Sequence, residues 1–113
     1  MAATDVVARQ VDAFNAHDLT AYLACYTDDV VVTTGNGEVL MEGLEAVRAQ
    51  YDAWFSQLAD LHAVVHERIE RGSWVVDDER ATATGFDVEA LVAYHVQGDR
   101  IDRVVLMTTE PQE

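Results

Sequence analysis

Glu67 is the first side chain in this sequence whose type and position could do chemistry. It stands at two-residue spacing from Val65 and Ile69, in a stretch (His62 to Arg71) that alternates like a half-buried strand. On that parity Glu67 faces inward with Ala63, Val65 and Ile69. A carboxyl among apolar neighbours holds its proton to higher pH and can act as general acid or base. At the rim of the fold it would instead be solvated. Tyr51 is the second candidate, on the apolar stripe Leu44, Val47, Tyr51, Trp54 or Phe55, and Leu58 of a helix. Its phenol is either a polar anchor or general acid, or a core tyrosine whose hydroxyl finds a neighbour.

The histidines point elsewhere. His62 and His66 are four apart, a metal-binding spacing on a helix, but on a strand they lie about 13 Å apart, too far to share an ion. They fall with Val64 and Arg68 on the outer face, and no metal site is expected. His95 alternates with Tyr94 and Val96, so it also faces out, as a structural or interface residue. His17 reads as a turn residue. Cys25 lies in an apolar helical pattern with no basic partner nearby, and is read as a small core filler.

The elements that must position these groups follow from periodicity. Thr4 can cap a first helix carrying Val7, Val11 and Phe14. Asn15 to His17 breaks it. Asp18 then caps a second helix with Leu19, Tyr22, Leu23 and Tyr26 on one stripe, closed by Thr27-Asp28-Asp29. Val30 to Thr34 is β-branched and reads as a strand. Gly35-Asn36-Gly37 is a hairpin turn that returns the chain along Glu38 to Glu42, with Val39 and Met41 on one face. A third helix runs from about Leu44 to Leu58. Strands follow at His62 to Arg71, Trp74 to Thr84, Glu89 to Val96 and Ile101 to Thr109, separated by Gly72-Ser73, Gly85-Phe86-Asp87 and Gln97-Gly98-Asp99 and ended by Pro111. Helices first and an antiparallel meander afterwards give an α+β domain with helices on one face of the sheet.

Composition sets outer limits. The 113 residues suit one domain, 1–113, with a core that needs no disulfide. The net charge is −14, with seven arginines and no lysine, which argues against nucleic acid or an anionic membrane as partner. Asp28-Asp29 and Asp77-Asp78-Glu79 are read as solvated acidic positions. No apolar run is long enough to span a bilayer and the N-terminus lacks a signal-peptide pattern, so the expected location is cytoplasmic. The Ala, Val, Asp and Arg content without lysine suggests a GC-rich or salt-adapted bacterium.

The segments N-A-H-D-L, Y-T-D-D-V-V-V, M-E-G-L-E-A-V-R-A-Q-Y, R-I-E-R-G and V-A-Y-H-V-Q-G-D-R-I-D-R-V together resemble the nuclear-transport-factor-2-like superfamily. The nearest branch is the SnoaL-like and ketosteroid-isomerase-like one, and the resemblance runs from about Val7 to Thr108. It implies a cone: a strongly curved antiparallel sheet wrapped around three helices from the N-terminal half, the cystatin-like fold, with an apolar cavity open at one end. Ketosteroid isomerases use a tyrosine, a protonated aspartic acid and an aspartate base. The matching positions here are Gln10, Val92 and Thr34, so that reaction is not expected, although Gln10 can still donate to an oxyanion. Tyr26 and Tyr51 match supporting tyrosines, which implies a Gln10–Tyr51–Tyr26 polar cluster inside the cone.

The resemblance implies a pocket for an apolar small molecule lined by Gln10, Phe14, Tyr26, Thr34, Met41, Tyr51, Trp54, Val92 and Tyr94, with no cofactor. Steroid-, polyketide- or terpenoid-like compounds fit such a wall. The alternatives are an acid–base isomerase or cyclase using Tyr51 and Glu67, and a non-catalytic dimeric module whose cone is plugged by its own aromatics. The outer face (Val64, Leu91, Ala93, Val105, Met107) is apolar enough to imply a two-fold homodimer, with Arg68 and Arg103 pairing to acidic residues across it.

Overall fold

The computed structural model describes residues 2–108; Thr109 and Pro111, assigned above to the end of the last strand, lie outside them. Three helices and six strands alternate as α1 (Ala3–Asn15), α2 (Leu19–Leu23), β1 (Tyr26–Thr34), β2 (Val39–Glu42), α3 (Leu44–Gln57), β3 (His62–Arg71), β4 (Trp74–Ala83), β5 (Phe86–Gln97) and β6 (Arg100–Thr108). One curved sheet in the order β2-β1-β6-β5-β4-β3 carries all the strands. Neighbours are antiparallel except β1 and β6, which run parallel because the chain leaves β1 and returns to its flank only after the whole meander. The fold is α+β, with the helices packed into the concave face. Among the described residues, no helix is long and apolar enough to cross a membrane.

Local chemistry sets the helix ends. Asp18 accepts a hydrogen bond from the Ala21 amide and caps α2. Thr4 does not cap α1: the helix starts one residue earlier, and the Thr4 amide is satisfied by the Glu70 carboxylate on β3. α2 ends before Tyr26, which opens β1 instead. Gly43, with φ at +88°, sits at the entry of α3 and donates its amide to Val30, a backbone shape an L side chain resists.

Bulges bend the sheet and decide which side chains look inward. On β2 the register slips between Val32–Met41 and Thr33–Val39, leaving Leu40 extra. Val39 and Met41 therefore sit on opposite faces, and only Met41 looks into the concavity. On β3, Val65 pairs with Glu79 but Glu67 pairs with Asp78, leaving His66 extra. Every residue after it changes side. Glu67 stands exposed on the outer face with Asp78, while Arg68 faces inward. The inward carboxylate expected at Glu67 and the outward, dimer-facing guanidinium expected at Arg68 are both reversed by this one residue.

The core lies between the concave face and α1. Val6, Val7, Val30, Val47, Val75 and Ile101 are fully or almost fully buried, and Cys25 is buried among them with its thiol directed at the Ala21 carbonyl. Asn15 fastens α1 to β3 by donating to the Ala63 carbonyl (3.0 Å) and accepting from the Ala63 amide (2.7 Å). His17 donates Nε2–H to the Leu61 carbonyl and stacks on Phe55.

Candidate functional site

A cavity of about 420 Å³ opens between the concave sheet, α1, α2 and α3. That falls within the ~300–1,000 Å³ range of small-molecule sites. Gln10, Phe14, Tyr26, Met41, Tyr51, Trp54, Val92 and Tyr94 all border it. Thr34 does not. Its hydroxyl accepts from the Asn36 and Glu38 amides and is spent on closing the β1–β2 turn. Glu67 is excluded by the β3 bulge. The aromatics fill one end without plugging the cone: Phe14 packs against Tyr22, Tyr51 and Phe55, and Tyr51 meets Trp54 edge-on at 4.9 Å.

The polar wall contains a residue that sequence reading missed. Glu79 faces inward on β4, between Asp77 and Ala81 of the same parity, and accepts a 2.7 Å hydrogen bond from the Tyr94 hydroxyl. Burial pushes its carboxyl up to about 7; the hydrogen bond from Tyr94 and the charge of Arg68 pull it down, and the neighbouring Asp77 charge pushes it further up. Deeper still, Asp77 is fully buried and held by both nitrogens of the Arg68 fork, at 2.6 and 2.8 Å. Arg68 is thereby committed to Asp77 and does not border the cavity.

Tyr22 links the tyrosines that the sequence suggested Gln10 would join. Tyr26 donates to the Tyr22 hydroxyl at 2.8 Å, and the Tyr22 ring packs on that of Tyr51 with centroids 4.6 Å apart. Burial pushes all three phenols, and that of Tyr94, above their ordinary range, so they remain protonated donors at neutral pH. Gln10 stands apart from this chain: it is 4 % exposed and its Oε1 has no hydrogen-bond partner among the described residues.

His95 lies on the outer face, as its parity requires. Its Nδ1 is 2.6 Å from Asp102 Oδ1, its Nε2 is 3.0 Å from Ser73 Oγ, and Trp74 packs on its ring. Asp102 is the extra residue where the β5–β6 register slips, which is how it reaches that ring. His62 and His66 are exposed on β3. Among the described residues, no group of three or more His, Cys, Asp or Glu side chains could hold a metal ion.

The SnoaL-like domain matches residues 7–104. The chain belongs to that family. A cystatin-fold protein from Novosphingobium aromaticivorans is 26% identical, with a TM-score of 0.86 over 94% of this chain and 97% of that one. A SnoaL-like protein from Burkholderia thailandensis is 25% identical, with a TM-score of 0.80 over 96% and 94%. At 15% identity, a protein of ketosteroid-isomerase-like fold from Catenulispora acidiphila, solved in complex with trimethylamine, shares the fold with a TM-score of 0.72 over 89% and 82%. No curated protein matches the sequence. The cavity of this SnoaL-like domain carries a largely buried carboxyl on β4, tyrosines beside it and a glutamine on α1.

Proposed function

We propose that this SnoaL-like protein binds an apolar small molecule in its cone, with the polar end of the ligand set against Glu79. The observation that carries this reading is a carboxyl poised near neutrality on the wall of a roomy, mostly apolar cavity, oriented by Tyr94. Apolar walls supply affinity and a few placed polar groups supply orientation. The trimethylamine complex of the Catenulispora protein lends support, since it is a member of the same fold seen with a small organic molecule. A cytoplasmic location belongs to the same proposal.

The test is a thermal-shift screen with apolar compounds bearing one polar end. A ligand that binds only the native state at 100-fold its Kd adds about 2.7 kcal/mol, and so raises Tm by about 10 °C in a domain of this size. If no such compound moves Tm, the pocket reading fails.

A second reading, acid–base isomerisation or cyclisation of an apolar carbonyl compound, is favoured by the position of the Glu79 carboxyl near 7 and by the protonated phenols of Tyr22, Tyr26 and Tyr51. The acid–base role assigned to Glu67 from sequence passes to Glu79. Turnover would then follow an ionisation near pH 7 that Glu79→Gln abolishes.

The outer face supports a two-fold homodimer as part of the proposal. Val64, Ile69, Trp74 and Leu91 lie on it between 38% and 61% exposed.

A further inference from the structure

We infer that the polar end of the ligand is a protonated amine: the cone is built to receive an organic ammonium ion on a hydrocarbon body, its N–H donated to Glu79, with Gln10 Oε1 a second acceptor. This inference rests on the reading of the cone as a ligand pocket and names the chemical class that pocket selects.

Three observations lead to it. First, among the described residues the cavity is lined by an acidic group and by no Arg, Lys or His, and the Arg68 guanidinium is closed onto Asp77 by two short hydrogen bonds. Second, the polar atom left open on α1 is an acceptor. Gln10 lines the cavity and its buried Oε1 has no partner among the described residues, and an unmet buried acceptor destabilises the fold until a donor arrives. Third, one end of the otherwise mostly aliphatic wall is aromatic. Phe14, Tyr22, Tyr51 and Trp54 cluster at one end, and ring faces attract a desolvated cation. The chain's net charge of −14 adds a long-range field that draws cations and repels anions.

Other polar ends fit less well. A carboxylate or phosphate would meet Glu79 with no cation in the cavity to offset the repulsion. A hydroxyl would satisfy Gln10 but leave the Glu79 charge uncompensated whenever it ionises. A neutral donor, like Tyr94, eases that ionised form by one hydrogen bond, whereas a cation also offsets its charge, in a cavity of low dielectric where the pairing is strong.

Protons must therefore leave as the amine enters. The groups facing Glu79 are Arg68 from β3, Asp77 on its own strand, Tyr94 from β5, Tyr26 from β1 and Tyr51 from α3. The four tyrosine and arginine groups keep their protons through the neutral range, and Asp77 is locked to Arg68. Glu79 is left as the group that exchanges a proton on binding.

The experiment compares three probes of one skeleton, 4-phenylbutylamine, 4-phenylbutan-1-ol and 4-phenylbutyrate, by titration calorimetry from pH 6 to pH 8 in two buffers of different ionisation enthalpy. The expected result is that the amine binds at least tenfold tighter than the alcohol at pH 8, and the butyrate weakest of the three. Amine affinity should fall about tenfold between pH 8 and pH 6, with nearly one proton released per amine bound at pH 6. In Glu79→Gln, with folding checked by circular dichroism, the amine should lose at least tenfold and no longer outbind the alcohol. An alcohol that matches or outbinds the amine in the unaltered protein, or amine binding that does not change with pH, overturns the ammonium assignment and leaves the pocket standing. If none of the three binds at millimolar concentration, the pocket reading itself falls, and the ligand class falls with it.

Discussion

Glu79 and Asp77 are two inward carboxyls on one strand with opposite fates, and the difference lies in what each touches. Asp77 is fully buried but receives both arms of Arg68, so its charge is matched where it sits. Removing one partner of such a pair strands the other, and Asp77→Ala is expected to cost about 3–5 kcal/mol in a urea or guanidinium denaturation curve. Among the described residues Glu79 has only a phenol donating to it, and burial raises its carboxyl from the ordinary 4.5 to about 7. The unfolded chain gives up this proton near its ordinary value while the folded chain keeps it. Between those two pH values the unfolded state binds fewer protons, and stability falls as pH rises. The contribution is complete below about pH 4.5 and is lost as pH passes 7, a change on the order of 3 kcal/mol. Thermal melts from pH 4 to 8 should show this decline, and Glu79→Gln should flatten it. Tyr94→Phe removes a hydrogen bond that favours the charged form, so the Glu79 midpoint should move upward in a carboxyl-carbon NMR titration.

At the level of elements, the cone depends on a few fastenings between helix and sheet. Asn15 at the end of α1 grips both backbone groups of Ala63, whose outward neighbours begin β3. Asn15→Ala leaves a buried amide and carbonyl without partners and is expected to cost about 2 kcal/mol, read as a lower denaturation midpoint with an unchanged m-value. Asp18→Ala, which removes the cap of a five-residue helix, should cost about 1 kcal/mol by the same measure. The bulges on β2, β3 and β6 act differently. They bend the sheet toward the helices and change which face of the sheet a side chain joins, as at Met41, Arg68 and Asp102.

For the whole molecule, the two faces of the sheet divide the work. The concave face holds the helices and the cavity, while the convex face leaves Val64, Ile69, Trp74 and Leu91 in contact with water together with the Ser73–His95–Asp102 chain. Pairing two convex faces about a two-fold axis would remove that patch from water without touching the cavity. Light scattering at micromolar concentration is expected to give twice the 12.5 kDa chain mass, and Leu91→Arg, at the middle of the patch, to return the monomer. A 12.5 kDa species for the unaltered chain rules out the dimer.

Much of this architecture is legible in the sequence because it rests on local physics. Apolar spacing at three and four residues marked α1 and α3, alternation and a glycine in each turn marked the meander, and the stripe carrying Tyr51 and Trp54 pointed them into the cone. The site's carboxyl was not legible. On β4 the run Trp74, Val76 is as apolar as Val75 alone, so alternation gave no reason to turn Asp77 and Glu79 inward, and the acidic run read as a solvated surface. On β3 the alternation favoured Glu67, and one extra residue, His66, whose presence in the ladder depends on how β4 pairs with it, reversed the answer. Side-chain period is local and survives in the sequence; register and bulges are agreements between strands distant along the chain. Only the folded sheet decided which carboxyl faces the cavity.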